Sequence, residues 1–212
     1  YVCCNPSMIR LPDDKIGVNI RTVNYRIDKD GRYNRGDIHT VNWWTVWETS
    51  GRGLSRMPTR LRLDDFYHHT ASIRGIEDVR VCAANDNIYA FASCADWKVG
   101  GGDPSVHQVV WNNEGRCLSC DPLSDGEKCE KNWLPFLRDG QLRFIYSHEP
   151  FTLGELDQEG KATYKHTPLA CNGSGFRGGA SPVWDEETKT WLWVIHEVTV
   201  VQGQRKRTYL HR

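Results

Sequence analysis

Short runs of alternating apolar and polar residues recur along most of the chain, at 17–23, 87–92, 142–146 and 191–196. They are rich in aromatic and β-branched residues, which is the signature of strands. Each follows a polar turn: Asp13-Asp14-Lys15, Asn85-Asp86-Asn87, Asp139-Gly140 and Asp185-Glu186-Glu187. Another strand-like run stands before each turn, so the repeating unit is a hairpin. The first strand of every hairpin opens on a polar motif: Asn5-Pro6-Ser7, Glu77-Asp78, Glu130-Lys131-Asn132 and Arg177-Gly178-Gly179. The unit recurs about four times at roughly 45–75 residues, a spacing suited to propeller blades. No long amphipathic helix is expected, and 64–69 reads as a loop.

The pattern therefore predicts an all-β fold, a single β-propeller domain over 1–212. Radial closure puts the first strand of each blade along a central channel, where the polar motifs converge. A sandwich is the rival, but it gives no reason for every hairpin to begin with polar residues.

Composition narrows the partners. Lys plus Arg and Asp plus Glu are both 27, so no global field draws the chain to nucleic acid or a membrane surface, and recognition must be local. No apolar run approaches the roughly 20 residues that span a bilayer, and no signal-peptide pattern is visible. A soluble chain is expected, with the cytoplasm favoured although nothing fixes the compartment or the oligomeric state. Both ends read as cut from a longer parent. The eight cysteines are too sparse for a disulfide scaffold and are expected mostly as free thiols. Cys117, Cys120 and Cys129, with His107 nearby, have a spacing that can hold structural zinc. A cysteine-rich loop is the preferred reading, and no cofactor is expected.

Several motifs carry a resemblance. Glu77-Asp78-Val79-Arg80 resembles the Glu-Asp-Pro-Arg motif of the β-mannoside phosphorylase and hydrolase family, five-bladed propellers related to the arabinanase, levansucrase and invertase superfamily. Gly178-Gly179-Ala180-Ser181-Pro182-Val183 followed by 191–197 is similar to that family's later blades. Asn5 to Ser7, Arg21 to Tyr25, Glu77 to Arg80, Glu130 to Pro135, Arg177 to Gly179 and Tyr209 to Arg212 together resemble glycosyltransferase-like propeller domains. The resemblance implies a five-bladed propeller with four to five blades in this fragment, and a carbohydrate substrate. It implies transfer or cleavage of a glycosyl unit by a glycosyltransferase, glycoside phosphorylase or hydrolase. Val79 departs from the family's proline, 95–128 is short for a full blade, and strands beyond Arg212 are absent.

Glycosidic chemistry needs a proton given to or taken from the bridging oxygen, usually by a carboxyl group. Asp78 is expected in that role, as its counterpart is in the mannoside phosphorylases, with Glu77 and Glu130 as supporting carboxylates. Because neighbours on a strand point to opposite faces, only one of Glu77 and Asp78 should face the channel. The bland alternative is that both carboxylates pair with Arg80 or Arg74 to fix a turn. Inorganic phosphate or a nucleotide sugar as cosubstrate would need cations, and Arg21, Arg80, Lys131, Arg177 and His196 are the candidates. Gly178 and Gly179 would let backbone amides approach a ligand, and Trp133 is the nominated sugar platform. Asn5, Tyr25, Asn132 and Glu197 complete the expected substrate-binding set, and no metal ligand is expected there. A non-catalytic glycan-binding module needs the arginines and aromatics but not the acid, and is the alternative function.

Overall fold

Polar turns and β-branched runs do make hairpins, and the hairpins extend into sheets. A computed structural model of the chain describes residues 1–28, 33–50, 53–61, 73–84, 87–95, 106–111, 117–119, 132–157, 162–166, 175–200 and 207–211. These residues are all-β. The first sheet runs β1 (Val2–Leu11), β2 (Lys15–Val23), β3 (Ile38–Glu48) and β4 (Gly53–Arg60), with the two-residue β5 (Ile73–Arg74) parallel to β3. The second is β6 (Ile76–Ala84), β7 (Asn87–Ala95), β8 (Val106–Trp111) and β9 (Cys117–Ser119). The third is β10 (Leu134–Arg138), β11 (Gln141–His148), β12 (Phe151–Leu156) and β13 (Ala162–His166). The last is β14 (Phe176–Asp185), β15 (Thr190–Val200) and β16 (Arg207–His211).

Apart from β5, strands that follow one another within a sheet pair antiparallel. The turns match their chemistry. Asp13 and Asp14 both have left-handed backbone, as do Asp139 and Gly140, the conformation that closes a two-residue hairpin without splaying its strands.

Three apolar clusters lie between successive sheets. Ile9 and Trp44 of the first sheet pack on Ile76, Val79, Val81 and Ala92 of the second. Cys82 and Phe91 meet Trp133, Leu142, Phe144 and Leu156 across the next interface. Leu134, Phe136, Ile145 and Phe151 meet Trp191 and Trp193 across the last. The third sheet is thus covered on both faces: Phe144 points into one cluster and its neighbour Ile145 into the other, as a period of two requires. Both side chains are buried to 2% or less, and each such burial contributes about 1.5–3 kcal/mol.

The stacking of sheets in chain order is propeller-like, and it places the first strand of each sheet beside the next. Three of these first strands carry an irregularity at the same place. One extra residue is accommodated between Cys4 and Ser7, between Glu77 and Arg80, and between Gly178 and Ala180. Asn5 and Asp78 inside two of these bulges have φ of 42° and 51°, and Asn132, just ahead of β10, has 64°. Three of the four polar motifs are therefore left-handed corners at the head of a sheet. No helix among the described residues is long and apolar enough to cross a membrane.

Candidate active site

The corner at Asp78 changes how its side chain is aimed. In a regular strand Glu77 and Asp78 would face opposite ways, but the left-handed Asp78 breaks the alternation. Both carboxylates turn to the same guanidinium. Arg21 Nη1 donates to Asp78 Oδ1 at 2.8 Å, and Arg21 Nη2 donates to Glu77 Oε1. The expectation that only one of the pair faces the site is thus corrected.

Arg21 is almost fully buried on β2, with 3% of its surface exposed. Its Nε donates to Thr40 Oγ1 at 2.8 Å, and Nη2 also reaches the Tyr25 hydroxyl at 3.3 Å. Burial works against its charge, yet Glu77 and then Asp78 more than offset this and raise its pKa. Burial is also the main cause that lifts Tyr25, against the pull of Arg21, so the hydroxyl keeps its proton. Gly75 makes room for the arrangement. It has φ of 106°, and a Cβ there would lie 2.2 Å from the Thr40 carbonyl oxygen.

Asn5, from the corner of β1, donates its Nδ2 to Asp78 Oδ1 at 2.6 Å. Both hydrogen bonds that the described residues give the Asp78 side chain therefore fall on one oxygen, while 32% of that side chain stays exposed. Ser7 Oγ accepts from the Val81 amide at 2.9 Å. Asn42 donates to the Ile76 carbonyl at 2.9 Å and accepts from Asn19. Ser7 and Asn42 thus tie the first sheet to the strand that carries the carboxylates.

Arg80 does a different job from the one expected. Its Nε donates to the Gly179 carbonyl at 3.1 Å and its Nη1 to the Asp78 carbonyl at 3.1 Å. Its Nη2 donates to Asn132 Oδ1 at 3.1 Å and to the Gly178 carbonyl at 3.0 Å. A guanidinium has five N–H groups, so four of them are already committed to the protein. Arg80 braces the second, third and fourth sheets together instead of gripping an anion. Burial pushes its pKa down, against the attraction of Asp78.

The glycines are corrected for the same reason. A Cβ on Gly178 would meet the Asn132 carbonyl oxygen at 2.6 Å, and one on Gly179 would meet that of Val194 at 2.8 Å. They admit protein backbone, not a ligand. Trp133 is also not a platform: it is 1% exposed and its ring stacks on Phe144 at 4.3 Å and 7°. Packed among Cys82, Phe91, Leu142, Phe144 and Leu156, the indole fills the core between the second and third sheets.

Arg177 is exposed at the head of β14, across from His196 on β15, and Glu197 follows, partly buried. His196 lies close enough to His148 for its charge to act on it. The residue that the sequence reading missed is this His148, 5% exposed, whose Nε2 accepts from Trp193 Nε1 at 3.3 Å. Nothing around it in the sequence marks it, since its partners come from β15. Glu130, Lys131, Cys120 and Cys129 lie outside the described residues, as do the side chains of Cys117 and His107. Among the described residues no group of three His, Cys, Asp or Glu side chains is placed to hold a metal ion.

No protein-family model and no curated protein matches this sequence. Solved structures do. One is a glycosyl hydrolase from Bacteroides ovatus, with a TM-score of 0.60 at 14% identity over 99% of this chain and 65% of that one. Another is the β-1,2-mannobiose phosphorylase from Listeria innocua, at 0.59 and 12% identity, covering 99% and 70%. A third comes from the GH130 family of mannoside phosphorylases, described as containing glycoside hydrolases that target β-1,2 mannosidic linkages in Candida mannan. It matches at 0.57 and 13% identity, covering 99% and 65%. This chain shares their fold. It spans about 65–70% of the length of these three structures.

Proposed function

We propose that this chain belongs to a carbohydrate-active enzyme built on a five-bladed propeller, which cleaves or transfers a glycosyl unit with Asp78 as the group that gives or takes the proton. One observation carries the reading: Asp78 is held through Oδ1 by Asn5 and Arg21 while 32% of its side chain remains exposed. Such an anchored but accessible carboxyl is what general acid–base chemistry at a bridging oxygen needs. The shared fold with glycoside phosphorylases and hydrolases supports the substrate class.

In this reading Glu77 sets the orientation of Arg21 and, with Glu130, supplements the negative charge of the site. Arg177, Lys131 and His196 are the cations left to hold inorganic phosphate or a nucleotide sugar, because Arg21 is bound to Glu77 and Asp78 and Arg80 to backbone carbonyls and Asn132. A single displacement with inversion fits one proton-transfer carboxyl and an attacking phosphate, which is already anionic, whereas an attacking water needs a second carboxylate to take its proton.

The test uses β-1,2-mannobiose with and without inorganic phosphate. Release of mannose alone marks hydrolysis, and release of a mannose phosphate marks phosphorolysis. Asp78→Asn should lower turnover by about 10²–10⁴-fold while leaving the chain folded, at a somewhat lower unfolding midpoint because Arg21 loses one of its two carboxylate partners, and its sugar affinity close to that of the unaltered chain. The amide oxygen can still accept from Asn5 and Arg21, and asparagine tolerates the left-handed backbone. An unchanged rate in Asp78→Asn excludes the assigned role. Saccharide binding with no turnover of any glycoside favours the glycan-binding module instead.

A further inference from the structure

The connection from β2 to β3 leaves the sheet beside the Arg21 cluster, and its base is firmly pinned. Asn24 donates its amide to the His39 carbonyl at 3.2 Å and its Nδ2 to the Asp37 carbonyl at 2.8 Å, while its Oδ1 accepts from the His39 amide at 2.8 Å. Further out, Asn34 Oδ1 accepts from the Arg26 amide at 2.8 Å, and the Asn34 amide donates to the Arg26 carbonyl at 3.1 Å. Ile27 and Tyr33 then form a bridge. This stub carries two aromatic rings in fixed relation. Tyr25 and Tyr33 meet edge to face, with centroids 4.9 Å apart and planes at 86°.

The two rings differ in what they touch. Tyr25 is partly buried, and its hydroxyl oxygen accepts from the same Arg21 nitrogen that binds Glu77. Tyr33 is 50% exposed and Ile27 60% exposed. Single exposed aromatics are ordinary on protein surfaces. Here, however, the exposed ring is fixed by backbone hydrogen bonds, braced by a second ring, and linked through that ring's hydroxyl to the carboxylates. Apolar side chain and polar cluster meet in the combination that suits a sugar, whose C–H face packs on an aromatic ring while its hydroxyls seek charged and amide groups.

We propose that Tyr33 is the stacking face of a pyranose-binding subsite next to Asp78, with Tyr25 backing it, so that it selects for a second sugar unit beside the bond being handled. This rests on the reading of the chain as carbohydrate-active. The stub is pre-organised, so little ordering entropy is lost on binding. Tyr25 cannot swing away without giving up its contact with Arg21, and the subsite and the reacting carboxyl are held in register by one guanidinium.

Calorimetric titration of the full chain with mannose, β-1,2-mannobiose and β-1,2-mannotriose tests this. Tyr33→Ala is expected to weaken binding of the di- and trisaccharide by about tenfold and leave mannose unaffected, while Tyr33→Phe binds as the unaltered chain does. Because Tyr33 is half-exposed, the unfolding midpoint should stay put, and Tyr33→Phe controls for any loss of folding. Equal affinities in Tyr33→Ala and the unaltered chain, or an equal loss for all three sugars, overturn the subsite. If Asp78→Asn abolishes turnover while Tyr33→Ala binds normally, only the subsite falls. If the unaltered chain binds none of the three sugars, the carbohydrate reading falls and takes the subsite with it.

Discussion

Replacing Arg80 with methionine separates a brace from an anion site. The variant keeps most of the side-chain volume and removes all four donated hydrogen bonds, whose lengths run from 3.0 to 3.1 Å. Gly178 is buried, so its carbonyl loses its partner without regaining water, a penalty of about 1–3 kcal/mol. Asp78, Asn132 and Gly179 are partly exposed, and their acceptors rehydrate, so each forfeits only a net bond of about 0.5–1.5 kcal/mol. The sum is about 2.5–7.5 kcal/mol, a large share of the roughly 5–15 kcal/mol that hold a domain together. Urea unfolding followed by tryptophan fluorescence measures it, with an unchanged denaturant slope showing that the same surface is exposed. Arg80→Lys should recover only part of the loss, because an ammonium lacks the planar fork that reaches acceptors from three sheets. A loss below about 1 kcal/mol in Arg80→Met refutes the argument. So does a variant whose stability is unchanged but which no longer gains from added phosphate, the behaviour of an anion site.

Two further outcomes follow from the packing and the buried histidine. Trp133→Ala should cost about 3–5 kcal/mol and leave saccharide affinity unchanged wherever the variant is folded, so a selective loss of sugar binding would contradict its place in the core. Burial, then the charge of His196, holds His148 below its ordinary value of 6.5. The unfolded chain therefore takes up that proton first on acidification, and stability is full above about pH 6.5 and falls below it, toward the lower folded value. Urea midpoints between pH 8 and 5 should slope less steeply in His148→Gln, and identical slopes would remove His148 as the cause.

Much of the architecture can be read in the chain because it depends on local rules. Aspartate-rich turns and alternating runs mark the hairpins, and the four polar motifs lie at or just ahead of the first strand of each sheet. Arg21, Asp78 and Asn5 do come together from two sheets. What cannot be read is direction. Alternation along a strand assigns Glu77 and Asp78 to opposite faces, and only the backbone bulge reverses this. Arg80 and the Gly178-Gly179 pair look like ligand contacts by type, since a cation and a flexible backbone serve a brace and a binding site equally well. The difference lies in whether carbonyls from other sheets arrive first, a matter of tertiary approach. Trp133 shows the same limit, because one aromatic ring suits both a core and a sugar surface. His148 acquires its character wholly from Trp193 and His196 on a distant strand.

The left-handed corners place an unusual restriction on how this chain can change. At φ near +50° a side chain branching into Asx geometry is tolerated where most others are strained, and Asn5 and Asn132 occupy the same kind of corner as Asp78. Glutamate would retain an acid at position 78 but fit the corner poorly, whereas asparagine would fit it and abolish the acid. Under the role proposed for Asp78, loss of chemistry is thereby the substitution that the corner's backbone absorbs most easily, by exchange of one oxygen for an amide nitrogen.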